Sequence, residues 1–127
     1  MKEQFVTYEI ALALKELGFD EECFGYYSEQ HDKTKILCLY QEEDYFDEIR
    51  LEAPLWQQVI DWLRETYKIN ILIAPIYSSE NLKGYVFNFG LITMDNLSEV
   101  FKNGKFETFY KAREQAILKA VELCQKK

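Results

Sequence analysis

Histidine occurs once in this 127-residue chain, proline twice and glycine five times. The lone His31 sits in the polar run "SEQHDKT" and reads as an exposed loop residue. It leaves no histidine-rich metal set, and a zinc site is not expected. Cys23, Cys38 and Cys124 are odd in number and form no CxxC pair. They read as reduced thiols acting as small core hydrophobes, since a nucleophilic cysteine needs an activating base. So little proline and glycine excludes a linker-rich or low-complexity chain, and no internal repeat is present.

Motifs are missing too. No GxGxxG, GxxxxGK[ST], HExxH, GxSxG or EF-hand loop occurs, so no catalytic, cofactor-binding or metal-binding residue is expected, and no enzyme. No apolar run reaches the roughly 18 residues of a membrane span. The opening "MKEQFVTYEIALALKELGF" is broken by Glu3, Glu9, Lys15 and Glu16 at helical spacing, unlike a signal peptide. A cytoplasmic protein is the expectation, without membrane binding.

Positive charge is scarce: 15 Lys and Arg stand against 22 Asp and Glu, a net of −7. The imbalance is local. Residues 1–53 hold 14 acidic and 5 basic side chains, a net of −9; residues 54–127 hold 8 and 10, a net of +2. A nucleic-acid binder shows the opposite sign, so direct nucleic-acid binding is not expected. The negative charge is densest in "EEDYFDEIRLE", residues 42–52.

Apolar residues make up 48% of the chain and aromatics 16%, ample for a core, and the length fits one domain over residues 1–127. Ile10, Ala13, Leu14 and Leu17 form one helical stripe between a Thr7 N-cap and Gly18 at the C′ position. "CFGYY" and "KILCLYQ" flank a polar loop as a hairpin; Leu37 and Leu39 point one way, Ile36, Cys38 and Tyr40 the other. With both sides apolar, the second run reads as a covered or central strand. "EEDYFDEIRLEA" reads as an acidic loop or as holding a short strand near Ile49–Leu51.

A second helix is expected from Pro54, placed at its first position. Leu55, Trp56, Val59, Ile60, Trp62, Leu63 and Tyr67 fall on an arc of about 160° at 100° per residue. That pattern is the inner wall of a small domain rather than an aromatic cage. "INILIAPIY" and "GYVFNFGLI" form a second antiparallel hairpin, with Pro75 at an edge or a strand end and Gly90 at a bulge or close approach. "MDNLSEVFKNGKFE" reads as a connection, with a helical turn suggested by Leu97, Val100 and Phe101. Thr108 caps a last helix with Phe109, Ala112, Ala116, Ile117, Ala120, Val121, Leu123 and Cys124 on one half of its wheel. The fold class is α+β: a largely antiparallel sheet of about four strands covered by three amphipathic helices, in the order α-β-β-α-β-β-α.

"FVTYEIALALKELGFDEECFGYY", "APLWQQVIDWLRETY" and "TFYKAREQAILKAVEL" together resemble a group of small uncharacterised proteins of Bacteroidetes-type bacteria and their phages or prophages. The resemblance covers most of the chain and rests on residues such as Tyr8, Gly18, Gly25, Trp56, Trp62 and Ala112. The connection at residues 93–107 is longer here. The resemblance implies a phage or mobile-element context and transfers no activity.

Three functions fit these observations. The leading one is a non-catalytic interaction or accessory protein, working through a sheet edge or aromatic patch, with an unknown protein partner or a homodimer through a sheet edge. Its candidate surface is Glu42, Glu43, Asp44, Tyr45, Asp47 and Glu48. The second is an acidic nucleic-acid mimic, binding a DNA-binding protein through the same carboxylates. The third is a small enzyme with a tyrosine, such as Tyr26, Tyr27 or Tyr40, beside a carboxylate.

Overall fold

A computed structural model describes residues 2–30, 32–40, 50–76, 86–93, 96–102 and 106–126. The fold is α+β, with antiparallel pairing in both sheets, and the chain divides into two compact units, Met1–Val59 and Ile60–Lys127.

In the first unit a 3-10 turn, Lys2–Gln4, precedes helix α1, Tyr8–Glu16. The Thr7 hydroxyl accepts the Ile10 N–H at 3.4 Å, satisfying one of the donors a helix start leaves open. At the other end Gly18 takes φ +95°. Its N–H reaches the Lys15 carbonyl while the Phe19 N–H reaches that of Leu14. This is the paired closure of a Schellman motif, and buried Phe19 and Leu14 supply its hydrophobic contact. The buried stripe is Ile10, Ala11 and Leu14. It turns toward Ala11 and leaves Ala13 and Leu17 half-buried.

Strands β1, Gly25–Glu29, and β2, Lys35–Leu39, form the expected hairpin, and between them Lys33 takes φ +69°. Strand β3, Leu51–Ala53, pairs with the other side of β1, giving the order β2-β1-β3. The short strand suspected near Ile49–Leu51 thus begins at Leu51. The central position belongs to β1, not to β2. A central strand pairs on both sides, and β1 has β2 on one side and β3 on the other. Ile36 and Leu39 of β2 are correspondingly exposed. Register puts Tyr26, Cys38 and Glu52 on one side of this sheet and Gly25, Leu39 and Ala53 on the other.

Gly25 is buried where a Cβ would lie 3.0 Å from both the Cys38 carbonyl oxygen and Phe5 Cε1. The Phe5 ring rests directly on the strand. Phe5 also bridges to Leu55, and the Val6 N–H donates to the Pro54 carbonyl at 3.0 Å. These bonds take Pro54 and Leu55 out of the helix, so α2 spans Trp56–Tyr67 and begins two residues later than Pro54 suggests. The Leu55 carbonyl accepts the first helical bond from Val59, and the Gln58 side chain reaches back to the Leu55 N–H at 3.3 Å, the reciprocal half of a capping box. Trp56 is buried and its indole N–H donates to the Glu3 carbonyl at 2.8 Å.

Helix α2 carries the chain into the second unit, with Trp62 and Leu63 buried and the Trp62 ring edge-on to Tyr67 at 5.5 Å. Both indoles are therefore inside, as the arc requires. Lys68, at φ +59°, ends the helix in a left-handed turn. Strands β4, Ile69–Ile76, and β5, Val86–Thr93, then pair in the expected hairpin, with Pro75 on an edge strand.

The segment expected to be a connection is strand β6, Asn96–Lys102, paired with β5 past an irregularity at Ile92/Thr93. The spacing of Leu97, Val100 and Phe101 is helical, and pairing with the otherwise open side of β5 overrides it. Instead of one sheet of about four strands, the described residues form two three-stranded sheets, and β3 and β6 extend the expected order.

Helix α3, Phe109–Gln125, packs on β4 and β5. Thr108 caps it, accepting the Lys111 N–H at 3.1 Å. Ala112, Ala116 and Ala120 are buried in line with Ile117, Val121 and Cys124, while Phe109 is exposed.

Candidate functional site

The six acidic-run residues Glu42, Glu43, Asp44, Tyr45, Asp47 and Glu48, and His31, lie outside the described residues. The tyrosines Tyr26, Tyr27 and Tyr40 lie in the first unit and divide between two neighbouring constellations.

The first surrounds Arg50, just before β3. Its guanidinium lies 4.4 Å from the Tyr26 ring centroid and 5.7 Å from that of Tyr40, and the two rings are 4.7 Å apart. Cationic stacking of this kind orders an arginine side chain against its own sheet. Tyr40 donates to Glu52 Oε1 at 2.7 Å, the tyrosine–carboxylate pairing a catalytic reading asks for. Burial, then the bond to Glu52, pushes the Tyr40 phenol up to about 12. Burial, with the charges of Glu52 and Glu21 behind it, pushes the Cys23 thiol up to about 12 as well. Both groups keep their protons at neutral pH, the opposite of an activated nucleophile or base.

The second is an open recess of about 160 Å³ lined by Tyr8, Leu12, Lys15, Tyr27, Glu29, Lys35, Arg50 and Leu51. Helix α1 supplies Tyr8, Leu12 and Lys15 at i, i+4 and i+7, a second helical face beside its buried stripe. Tyr27 donates to the Val6 carbonyl at 2.5 Å and meets the Tyr8 ring edge-on at 5.6 Å. Burial and the Glu9 charge raise its pKa. Lys35 Nζ lies 2.7 Å from Glu29 Oε1 and 5.3 Å from the Tyr8 ring centroid, and the bond to Glu29 raises its pKa. Among the described residues no carboxylate pairs with Lys15.

Sequence reading nominated carboxylates and tyrosines; it passed over Lys15, Lys35 and Arg50. Leu12 was the available signal, as an aliphatic residue off the α1 stripe and 41% exposed. Among the described residues no cluster of His, Cys, Asp and Glu suits a metal ion, and no helix is long and apolar enough to cross a membrane. Comparison with protein-family models, curated proteins and solved structures yields no match to the chain.

Proposed function

We propose that the protein is a non-catalytic interaction protein that engages a protein partner through its first unit. The observation carrying this reading is the placement of large apolar side chains on the β1–β2 hairpin: Phe24 is 70% exposed, Leu39 46% and Ile36 40%. Single exposed hydrophobics are ordinary, but these flank an edge strand, since among the described residues β2 pairs only with β1, and an open sheet edge is a site for pairing with another chain. Register puts Phe24 and Ile36 on the Tyr26 side of the sheet and Leu39 on the Gly25 side, so the exposed apolar side chains stand on both faces of the sheet edge at β2. The suppressed ionisation of Cys23 and Tyr40 supports the non-catalytic half of the reading. A phage or mobile-element origin is the accompanying proposal, drawn from the sequence resemblance and tested by gene neighbourhood.

The experiment is sedimentation velocity together with crosslinked capture from the host, for the native chain and for a Phe24→Ser, Ile36→Ser, Leu39→Ser variant. A self-associating chain, or a partner held by the native protein and lost in the variant, is the expected result. A strictly monomeric chain without a captured partner, or a partner indifferent to the three changes, overturns the reading.

A further inference from the structure

An unpaired sheet edge is a template for a further strand, and folded chains guard such edges with short length, charge or proline. Among the described residues the two sheets end in β2, β3, β4 and β6. Strand β3 is three residues long, with Glu52 at its centre and Pro54 next in the chain; β4 contains Pro75 and β6 contains Glu99. Strand β2, "KILCL", is guarded less: its single charge, Lys35, stands at its start and is held by Glu29 at 2.7 Å. The phase of its hydrogen bonds follows from the Tyr40 N–H, which donates to the Phe24 carbonyl at 2.9 Å. Tyr40, Cys38 and Ile36 therefore exchange bonds with β1, and the N–H and C=O groups of Lys35, Leu37 and Leu39 point away from it.

From this we infer that the partner of the first unit is a second copy of this chain, joined by antiparallel pairing of β2 with β2 about a two-fold axis at Leu37. The inference rests on the interaction reading and names its partner. The strand is its own complement. Turned end for end, it sets Leu37 opposite the partner's Leu37 and Ile36 opposite the partner's Cys38, apolar against apolar on both faces. Every outward backbone group of Lys35, Leu37 and Leu39 then meets a hydrogen-bonding counterpart, whereas a slip of two residues either way strands one end. Lys35 falls opposite the partner's Leu39, with its aliphatic stem along the leucine. The two lysines stand at opposite ends of the ladder, about 14 Å apart at about 3.4 Å per residue, beyond the Debye length of about 8 Å in physiological salt. Strand β2 brings no carboxylate to the contact, although residues 1–53 carry a net charge of −9.

Sedimentation velocity from about 5 to about 500 µM is expected to show a monomer–dimer equilibrium that tightens as NaCl rises from about 50 to about 300 mM. Salt screens the repulsion between two chains of net −7 and leaves backbone bonds in place. Exposed Leu39 tests the register. Leu39→Glu faces the partner's Lys35, while Leu39→Lys sets like charges together, so the glutamate variant should dimerise at least about 3-fold more tightly. Net charge alone gives the reverse order, and damage to the fold gives no such preference. Ile36→Cys puts a thiol opposite the partner's Cys38 in a pair without hydrogen bonds, where Cα atoms about 4.5 Å apart suit a disulfide. Oxidation by diamide should then join the two chains through these positions, located by peptide mapping. A chain monomeric throughout, a lysine variant that dimerises as well as the glutamate one, or a link through Cys23, Cys124 or Cys38 to Cys38 overturns the inference. If the chain is monomeric while a host protein is still captured through Phe24, Ile36 and Leu39, only this inference falls. If neither a second copy nor a host protein is held, the interaction reading falls with it.

Discussion

Cys23 and Tyr40 are each pushed upward, first by burial and then by the nearby Glu52 charge. The folded chain therefore holds these protons more tightly than the unfolded one. The stabilisation is complete below the ordinary thiol and phenol values of 9.0 and 10.0 and is lost as pH climbs toward about 12. Alkaline unfolding, followed by circular dichroism, should steepen across that window, and Tyr40→Phe should flatten its upper part. At pH 8 a thiol with so high a pKa is almost wholly protonated. Peptide-resolved mass spectrometry should then find Cys23 alkylated by iodoacetamide at least about 100-fold more slowly than free cysteine. Alkylation at the free rate would remove the main support for a non-catalytic centre. Neither property was legible beforehand, because the sequence neighbours of Cys23 and Tyr40 do not reveal that β3 brings Glu52 to both of them.

Helices were the most legible elements. Thr7, Gly18 and Thr108 act where local chemistry puts them, and the apolar arc of α2 predicts the burial of Trp56 and Trp62, since these signals span only a turn or two of chain. Strand β6 was not legible, because the spacing of its apolar residues is helical and only pairing with β5, which lies elsewhere in the chain, makes it a strand. The start of α2 was misplaced for a similar reason: bonds from Phe5 and Val6, some fifty residues upstream, hold Pro54 and Leu55 extended. At its far end Lys68 occupies a left-handed conformation at φ +59° that costs a side-chain-bearing residue and not glycine. Lys68→Gly should raise stability by about 0.5–1 kcal/mol in urea unfolding. Its loss of the Lys68 Nζ bond to the Glu65 carbonyl at 2.9 Å is minor at an exposed site.

For the whole molecule, charge and packing pull apart. An excess of seven negative charges works against any compact state through self-repulsion, and salt relieves it. Raising NaCl from about 10 to about 150 mM should lift Tm by about 2–4 °C, equivalent to roughly 0.5–1 kcal/mol. A fall on adding salt would mean that favourable ion pairs such as Lys35–Glu29 outweigh the general repulsion. The candidate recess was hidden from sequence reading at this scale: Lys15 and Lys35 are far apart along the chain, and only the packing of α1 beside the hairpin brings them together.

Gly25 lacks a methyl where the Phe5 ring occupies the space. Putting one there should lower stability by about 1–3 kcal/mol, and trimming the ring should return part of that loss. In a double-mutant cycle of Gly25→Ala with Phe5→Leu, the paired change should cost less than the two single changes added together. The two positions then behave as one steric unit. Chains sharing this architecture would have to enlarge one only by shrinking the other, which gives a rule for choosing compatible substitutions in any redesign of the hairpin.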